Sequence, residues 1–92
     1  MKTLVIFIEK EHFDKIVSGI KHIEYREVKP FWKTRLFDKD GEKRKYDQIE
    51  FINGMRPDSP RLIAEYLGFE EKDKFYHIKI GKILKTLHLK KK

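Results

Sequence analysis

Three charged side chains, Lys21, Glu24 and Arg26, fall within one short segment that has the alternation of a β-strand. Side chains two apart on a strand share a face, so Glu24 and Arg26 lie side by side, and Tyr25 points the other way, where we expect it to hold the strand against the core. A carboxylate beside a guanidinium can bind a ligand with both donor and acceptor edges, such as a nucleobase. On spacing alone, the commoner arrangement is a solvated surface ion pair, which contributes about 0–1 kcal/mol.

Glu65 is a second candidate because its neighbours at strand spacing, Ile63, Leu67 and Phe69, are all apolar. A carboxylate among apolar side chains is either paired with a partner or has a raised pKa, and both conditions recur at functional sites. The alternative is that this face lies at the edge of the sheet and Glu65 reaches water.

Four aromatic residues, Tyr25, Phe31, Trp32 and Tyr46, lie near basic residues in the sequence. Interleaved aromatic and basic side chains can stack on and clamp nucleotides. For Phe31 and Trp32, which follow a proline at the predicted start of a helix, a place in the core is the better interpretation. Tyr46 is expected to be half-exposed.

The composition argues against several other chemistries. The chain has no cysteine, and its four histidines do not share metal-ligand spacing, so we expect neither a metal nor a cofactor. The glycines at 41 and 54 are isolated, which excludes a glycine-rich phosphate loop. No serine or threonine has the context of a nucleophile elbow.

The net charge of +7 is concentrated near the C-terminus. Residues 82–92 hold five lysines and no acid, which leaves 17 bases against 15 acids in the rest of the chain. The sequence therefore predicts a nearly neutral body with a basic tail at about 85–92. The basic side chains expected to attract nucleic acid electrostatically are Lys43, Arg44, Lys45, Lys90, Lys91 and Lys92.

The longest purely apolar run, Leu4 to Ile8, is far shorter than the roughly 20 residues that span a bilayer. We therefore expect no membrane association and a cytoplasmic location. Hydrophobic residues make up 39% of the chain, enough for a modest core, and 92 residues correspond to one domain over 1–92.

Hydrophobic periodicity predicts five strands and two short helices. The strands are expected over 1–8, 21–28, 46–53, 62–69 and 74–84, and the helices over 11–18 and 30–36. Phe13, Ile16 and Ile20 fall on one face of the first helix, and Gly19 suits its C-terminus. Gly81 predicts a bulge or bend in the last strand. This pattern indicates an α+β fold around a small curled sheet.

The order of the motifs resembles that of ASCH domains, small members of the PUA-like superfamily, in their compact bacterial and phage-type branch. The matching blocks are Phe13-x-x-Ile16-x-Ser18-Gly19-x-Lys21-x-x-Glu24-x-Arg26, Lys29-Pro30-Phe31-Trp32, Arg35-Leu36, Tyr46-Asp47, Phe51-x-Asn53-Gly54 and Glu65-Tyr66-x-Gly68. The resemblance extends to about Gly81. It implies a small β-barrel of about five to six strands with two flanking helices.

The resemblance also implies a cleft beside the barrel that binds RNA or a modified nucleoside. Carried over by position, Lys21, Glu24 and Arg26 line this cleft, and Asn53 and Glu65 lie nearby. Some bacterial relatives are amidohydrolases that remove the acetyl group from N4-acetylcytidine. Those relatives carry a threonine, implicated as the nucleophile, at the position that Glu24 occupies here.

Three functions follow as hypotheses. The first is binding of RNA or a nucleoside or nucleotide in the cleft. The second is a small amidohydrolase acting on an acylated pyrimidine, in which Glu24 would serve as general base and Lys21 would stabilise the oxyanion. The third is a non-catalytic interaction module, which predicts an open surface pair and no cavity converging on Lys21.

Overall fold

The chain folds around one five-stranded sheet, seen in a computed structural model that describes residues 1–89. The strands are β1 (Thr3–Phe7), β2 (Ile23–Glu27), β3 (Gln48–Ile52), β4 (Arg61–Lys72) and β5 (Phe75–Leu87), and the helices are α1 (Lys10–Val17) and α2 (Pro30–Leu36). The strand order is β1-β3-β4-β5-β2, with β1 parallel to β3 and the other pairs antiparallel. Strands β1 and β2 are therefore the two edges of the sheet.

The sheet curls because the long β4–β5 pair contains three register shifts. At one of them, Ala64 pairs with Ile83 and Tyr66 with Ile80, so Glu65 alone faces two residues of β5. The extra residue bends the strand and increases its twist. The bulge predicted at Gly81 is confirmed, and the curled sheet forms a half-barrel.

The core fills the concave side of the half-barrel beneath the two helices. It is built from side chains of β1, β3, β4, β5 and both helices: Leu4, Ile6, Ile8, Phe13, Ile16, Leu36, Ile49, Phe51, Leu62, Ala64, Phe69, Tyr76, Ile78 and Ile80. The predicted α+β class, a small barrel-like sheet with two short flanking helices, is confirmed. Among residues 1–89, no helix is long and apolar enough to cross a membrane.

Three side chains predicted to be inside are outside: Ile20, Tyr25 and Phe31, the last of which is 54% exposed on α2. Helix α1 ends at Val17, and the chain turns at Gly19, whose φ is +82°, so Ile20 lies beyond the helix and is 75% exposed. On β2 the orientation is reversed, because Tyr25 is 52% exposed and Glu24 is buried. The polar face of this edge strand points into the curl of the sheet, which periodicity alone does not reveal.

Candidate functional site

A cavity of about 700 Å³ lies where the two edge strands approach each other on the open side of the half-barrel, and we call it the seam cavity. Every element near this seam contributes to it: Phe7 from β1, His12 from α1, Glu24 and Arg26 from β2, Trp32 from α2, and Gly54 and Met55 after β3. The sheet order explains the location, because β1 and β2 have no strand partner on the sides that face the seam. The three charged residues singled out from the sequence, Lys21, Glu24 and Arg26, all line this cavity.

Glu24 is held between two cations. Its Oε1 lies 3.0 Å from Lys21 Nζ, and its Oε2 lies 2.6 Å from Arg26 Nη2 and accepts a hydrogen bond of 2.9 Å from Arg26 Nε. Only 6% of the Glu24 side chain is exposed, against 15% for Lys21 and 25% for Arg26. A buried carboxylate is costly unless it is paired and hydrogen-bonded, and here both oxygens have cationic donors. The alternative of a solvated surface pair is therefore wrong.

His12 belongs to the same cluster, since its Nδ1 lies 3.3 Å from Lys21 Nζ. An ammonium group has donors only, so a hydrogen bond between these two atoms would run from Lys21 to Nδ1. Sequence reasoning weighed the histidines only as metal ligands and missed this contact. The contact joins His12, on helix α1, to Lys21, which follows the turn after that helix. Neither helical nor strand spacing relates two such positions.

The cavity has aromatic walls beside its cations. The guanidinium carbon of Arg26 lies 5.0 Å from the centroid of the Trp32 ring, and Lys21 Nζ lies 5.9 Å from that of Tyr25. Trp32 is also packed against the core, as the sequence favoured, while lining the cavity. These contacts give the cavity flat apolar surfaces next to hydrogen-bond donors.

Asn53 supports the cavity from outside. Its Nδ2 donates to the main-chain oxygen of Ile8 at 3.0 Å, and its main-chain N–H donates to that of Pro60 at 2.9 Å. The first bond fixes the end of β3 beside the end of β1, and the second fixes it beside the start of β4. They thereby position Gly54 and Met55 at the cavity without placing Asn53 itself on the wall.

The structure does not bring Glu65 to the cavity. Glu65 is exposed, and its Oε1 accepts a hydrogen bond of 2.9 Å from the main-chain N–H of Lys82 within the β5 bulge. The apolar residue Phe69 does not share its face, because the register shift at Gly68 turns Phe69 into the core. Ile63 and Leu67 do share the face of Glu65, but this face of β4 is turned outward, since Leu67 is 59% exposed.

The basic run after α2 is largely occupied with main-chain contacts. Lys43 Nζ donates to the main-chain oxygen of Phe69 at 2.9 Å, and Arg44 Nε donates to those of Thr34 and Phe37 at 3.1 and 3.0 Å. Lys45 is exposed. The other residues predicted to attract nucleic acid electrostatically, Lys90, Lys91 and Lys92, lie outside the described residues. Over the described range 1–89, no group of three or more histidine or acidic side chains is arranged to hold a metal ion.

Protein-family models, curated proteins and solved structures all give no match to this chain. The resemblance to ASCH domains accordingly stays a prediction, and the function has to be argued from the geometry of the seam cavity.

The arrangement suits an acceptor-rich ligand with a flat ring. Glu24 neutralises one of the two cations, so the cluster of Lys21, Glu24 and Arg26 retains a formal charge of about +1, whereas the whole lining, which adds Lys29, Glu9 and Glu27, is formally neutral. The guanidinium fork of Arg26 suits phosphate and base acceptors, and Trp32 offers a face on which a base can stack.

Proposed function

We propose that this protein binds RNA or a modified nucleoside or nucleotide in the seam cavity. The observation that carries the proposal is the convergence of Lys21, Glu24 and Arg26, three residues of one sequence motif, in a cavity that also holds Trp32. A nucleotide is the common ligand that combines a flat ring with an anionic phosphate. The volume of about 700 Å³ also lies within the range typical of small-molecule sites.

In this proposal, Lys21 and Arg26 bind phosphate or base acceptors, and the base stacks on the aromatic wall. Glu24 has both oxygens engaged by these two cations, so its main part is to hold them in place. The exposed lysines supply long-range attraction that affects association and salt dependence more than ligand preference.

Trp32 provides a direct readout because it is the single tryptophan of the chain and lines the cavity. Titration with nucleosides, nucleotides and short RNA at low salt is expected to change its fluorescence. Lys21→Gln is expected to weaken binding by about 10–150-fold, the equivalent of one charge-assisted hydrogen bond of roughly 1.5–3 kcal/mol.

The matched control is Lys15→Gln, because Lys15 is also paired with a glutamate but at the exposed surface of α1. It is expected to leave binding within about twofold of the wild type, as an exposed pair contributes little. Absence of binding by the whole panel, or equal losses for the Lys21 and Lys15 variants, would contradict the proposal.

A second candidate function, hydrolysis of an acylated pyrimidine nucleoside, is favoured by one contact. Lys21 lies between Glu24 and His12, which places an oxyanion-stabilising cation beside two groups able to exchange protons. The test is acetate release from N4-acetylcytidine, which Lys21→Ala should abolish while the protein stays folded. If the wild type releases no acetate from acylated nucleosides, the cavity is a binding site only.

The interaction-module hypothesis predicted an open surface pair and no cavity at Lys21. A buried Glu24 and a cavity that converges on Lys21 both argue against it.

A further inference from the structure

A second cavity, of about 520 Å³, adjoins the seam cavity, and we call it the flank cavity. The two cavities have three walls in common, Phe7, Arg26 and Trp32. The flank cavity continues along the outer edge of β1 to α2, where Phe31 and Arg35 line it. The two cavities are therefore adjacent, with Arg26 between them, and we call the pair the groove.

The flank cavity contains a preformed stacking surface. The guanidinium carbon of Arg35 lies 3.6 Å from the centroid of the Phe31 ring, and Arg35 Nη1 donates to the main-chain oxygen of Phe31 at 3.3 Å. Tyr46, another wall of this cavity, donates its hydroxyl hydrogen to the main-chain oxygen of Arg35 at 2.6 Å. Phe31 is nevertheless 54% exposed, so the core does not explain this arrangement.

Arg26 lines both cavities, and one nitrogen of its guanidinium group, Nη1, can still donate to a ligand. Its Nε and Nη2 contact Glu24, and Nη2 also contacts the main-chain oxygen of Phe7. Within the described part of the chain, no hydrogen bond or ion pair engages Nη1. Nη1 can therefore donate to a group placed between the two cavities, and a guanidinium is well matched to a phosphate.

We infer that the groove takes a single-stranded nucleic acid segment of at least two nucleotides. One base occupies the seam cavity, the next stacks on Phe31 and Arg35 in the flank cavity, and Arg26 binds the phosphodiester between them. The inference rests on the proposed function and narrows it, because it makes the preferred ligand a strand and not a free nucleoside. Stacking on aromatic and guanidinium planes accepts any base, so little sequence preference is expected in the flank cavity.

The experiment compares three probes by Trp32 fluorescence: a ribonucleoside monophosphate, the corresponding 5′-phosphorylated dinucleotide, and the same dinucleotide with its second position abasic. The second base is expected to improve affinity by about 5–150-fold over the abasic probe, the equivalent of about 1–3 kcal/mol of stacking. The abasic probe carries the same phosphates, so the comparison separates stacking from charge.

Phe31→Ala is expected to bring the affinity ratio of the dinucleotide to its abasic analogue close to one. Arg35→Gln should reduce the same ratio while keeping the Phe31 ring. This second variant keeps the test valid if Phe31→Ala fails to fold. Leu84→Ala is the control, since Leu84 has a similar exposure of 53% and lines neither cavity. It should leave the ratio unchanged.

Equal affinities for the intact and abasic dinucleotides, or an unchanged ratio in both the Phe31 and Arg35 variants, would overturn the two-nucleotide inference and leave the proposed function intact. Failure of all three probes, with binding of a free nucleoside from the panel, would also overturn the inference alone, whereas failure of the whole panel at low salt would overturn the proposed function itself.

Discussion

Arg26 in β2 donates from Nη2 to the main-chain oxygen of Phe7 in β1 across 3.2 Å, and so links the two edge strands of the sheet. The same guanidinium binds Glu24 through Nε and Nη2. One side chain thus closes part of the open side of the half-barrel and lines both cavities. The candidate site is therefore coupled to the stability of the fold.

Arg26→Lys is expected to lower the free energy of unfolding by about 1–2 kcal/mol, because one ammonium group cannot replace the three contacts of the guanidinium fork. Urea unfolding measures the change. Arg61→Lys is the matched control: Arg61 has a similar exposure of 24% and pairs with Glu50, but its Nε is buried without a hydrogen bond within residues 1–89. Equal losses in the two variants would show that Arg26 does not join the edges of the sheet.

Glu24→Gln is expected to cost about 2–4 kcal/mol of folding stability, because it leaves two poorly exposed cations without their shared counter-ion. The partial exposure of Lys21 and Arg26 keeps the loss toward the lower end. Glu27→Gln, on the same strand, removes an exposed partner of Lys29 and should change stability by less than about 1 kcal/mol. Thermal or urea unfolding of the pair tests the prediction, and a Glu24→Gln variant as stable as Glu27→Gln would contradict it.

Gly81→Ala is expected to destabilise the fold by about 1–3 kcal/mol through overpacking, since the added Cβ would lie 2.8 Å from Cβ of Glu65 across the bulge. Glu65→Gly removes that Cβ, so the double variant should lose less than the sum of the two single variants. A double-mutant cycle from urea unfolding gives the coupling. Simple additivity would mean that the bulge opens to admit the methyl group.

Tyr66 is expected to make stability fall at high pH. Burial, with a smaller contribution from Tyr46, raises the pKa of Tyr66 to about 12 in the folded protein, against 10.0 for a free tyrosine. Between these values the unfolded chain loses the proton and the folded chain keeps it, so rising pH favours unfolding. The contribution of Tyr66 is complete below pH 10.0 and is lost as the pH rises toward about 12.

Tyr66→Phe should flatten this pH dependence, measured as urea unfolding at a series of alkaline pH values. The Tyr66 hydroxyl is buried without a hydrogen-bond partner within residues 1–89, so its removal should be neutral or stabilising by up to about 1 kcal/mol. Tyr46→Phe is the contrasting control, because it deletes the hydrogen bond to Arg35 and should cost about 1 kcal/mol. A Tyr66→Phe variant that loses as much as Tyr46→Phe would indicate a partner for Tyr66.

The sequence predicted the local features well because they depend on neighbours in the chain. The amphipathic spacing of Phe13 and Ile16 marked α1, Pro30 marked the start of α2, and Gly81 marked the bulge. The spacing of Glu24 and Arg26 was sufficient to place them side by side, since that follows from the period of a strand.

Features that depend on distant parts of the chain could not be predicted in this way. Periodicity divided β2 into two faces, but only the curl of the sheet decided that Glu24 points inward and Tyr25 outward. Phe69 was assigned to the face of Glu65 because a bulge breaks the period of two on which counting along a strand depends. His12 joined the site through a turn that no spacing rule describes.

By itself, then, the sequence determined the elements, their polar faces and the motif that carries the candidate chemistry. Tertiary structure alone decided that β1 and β2 are both edges of one curled sheet and meet at a seam. The physical reason is that local periodicity reports each element's own geometry, whereas strand order and curvature come from pairing between distant segments. The cavities lie at that seam, so their position and their shared Arg26 could be found only in the folded chain.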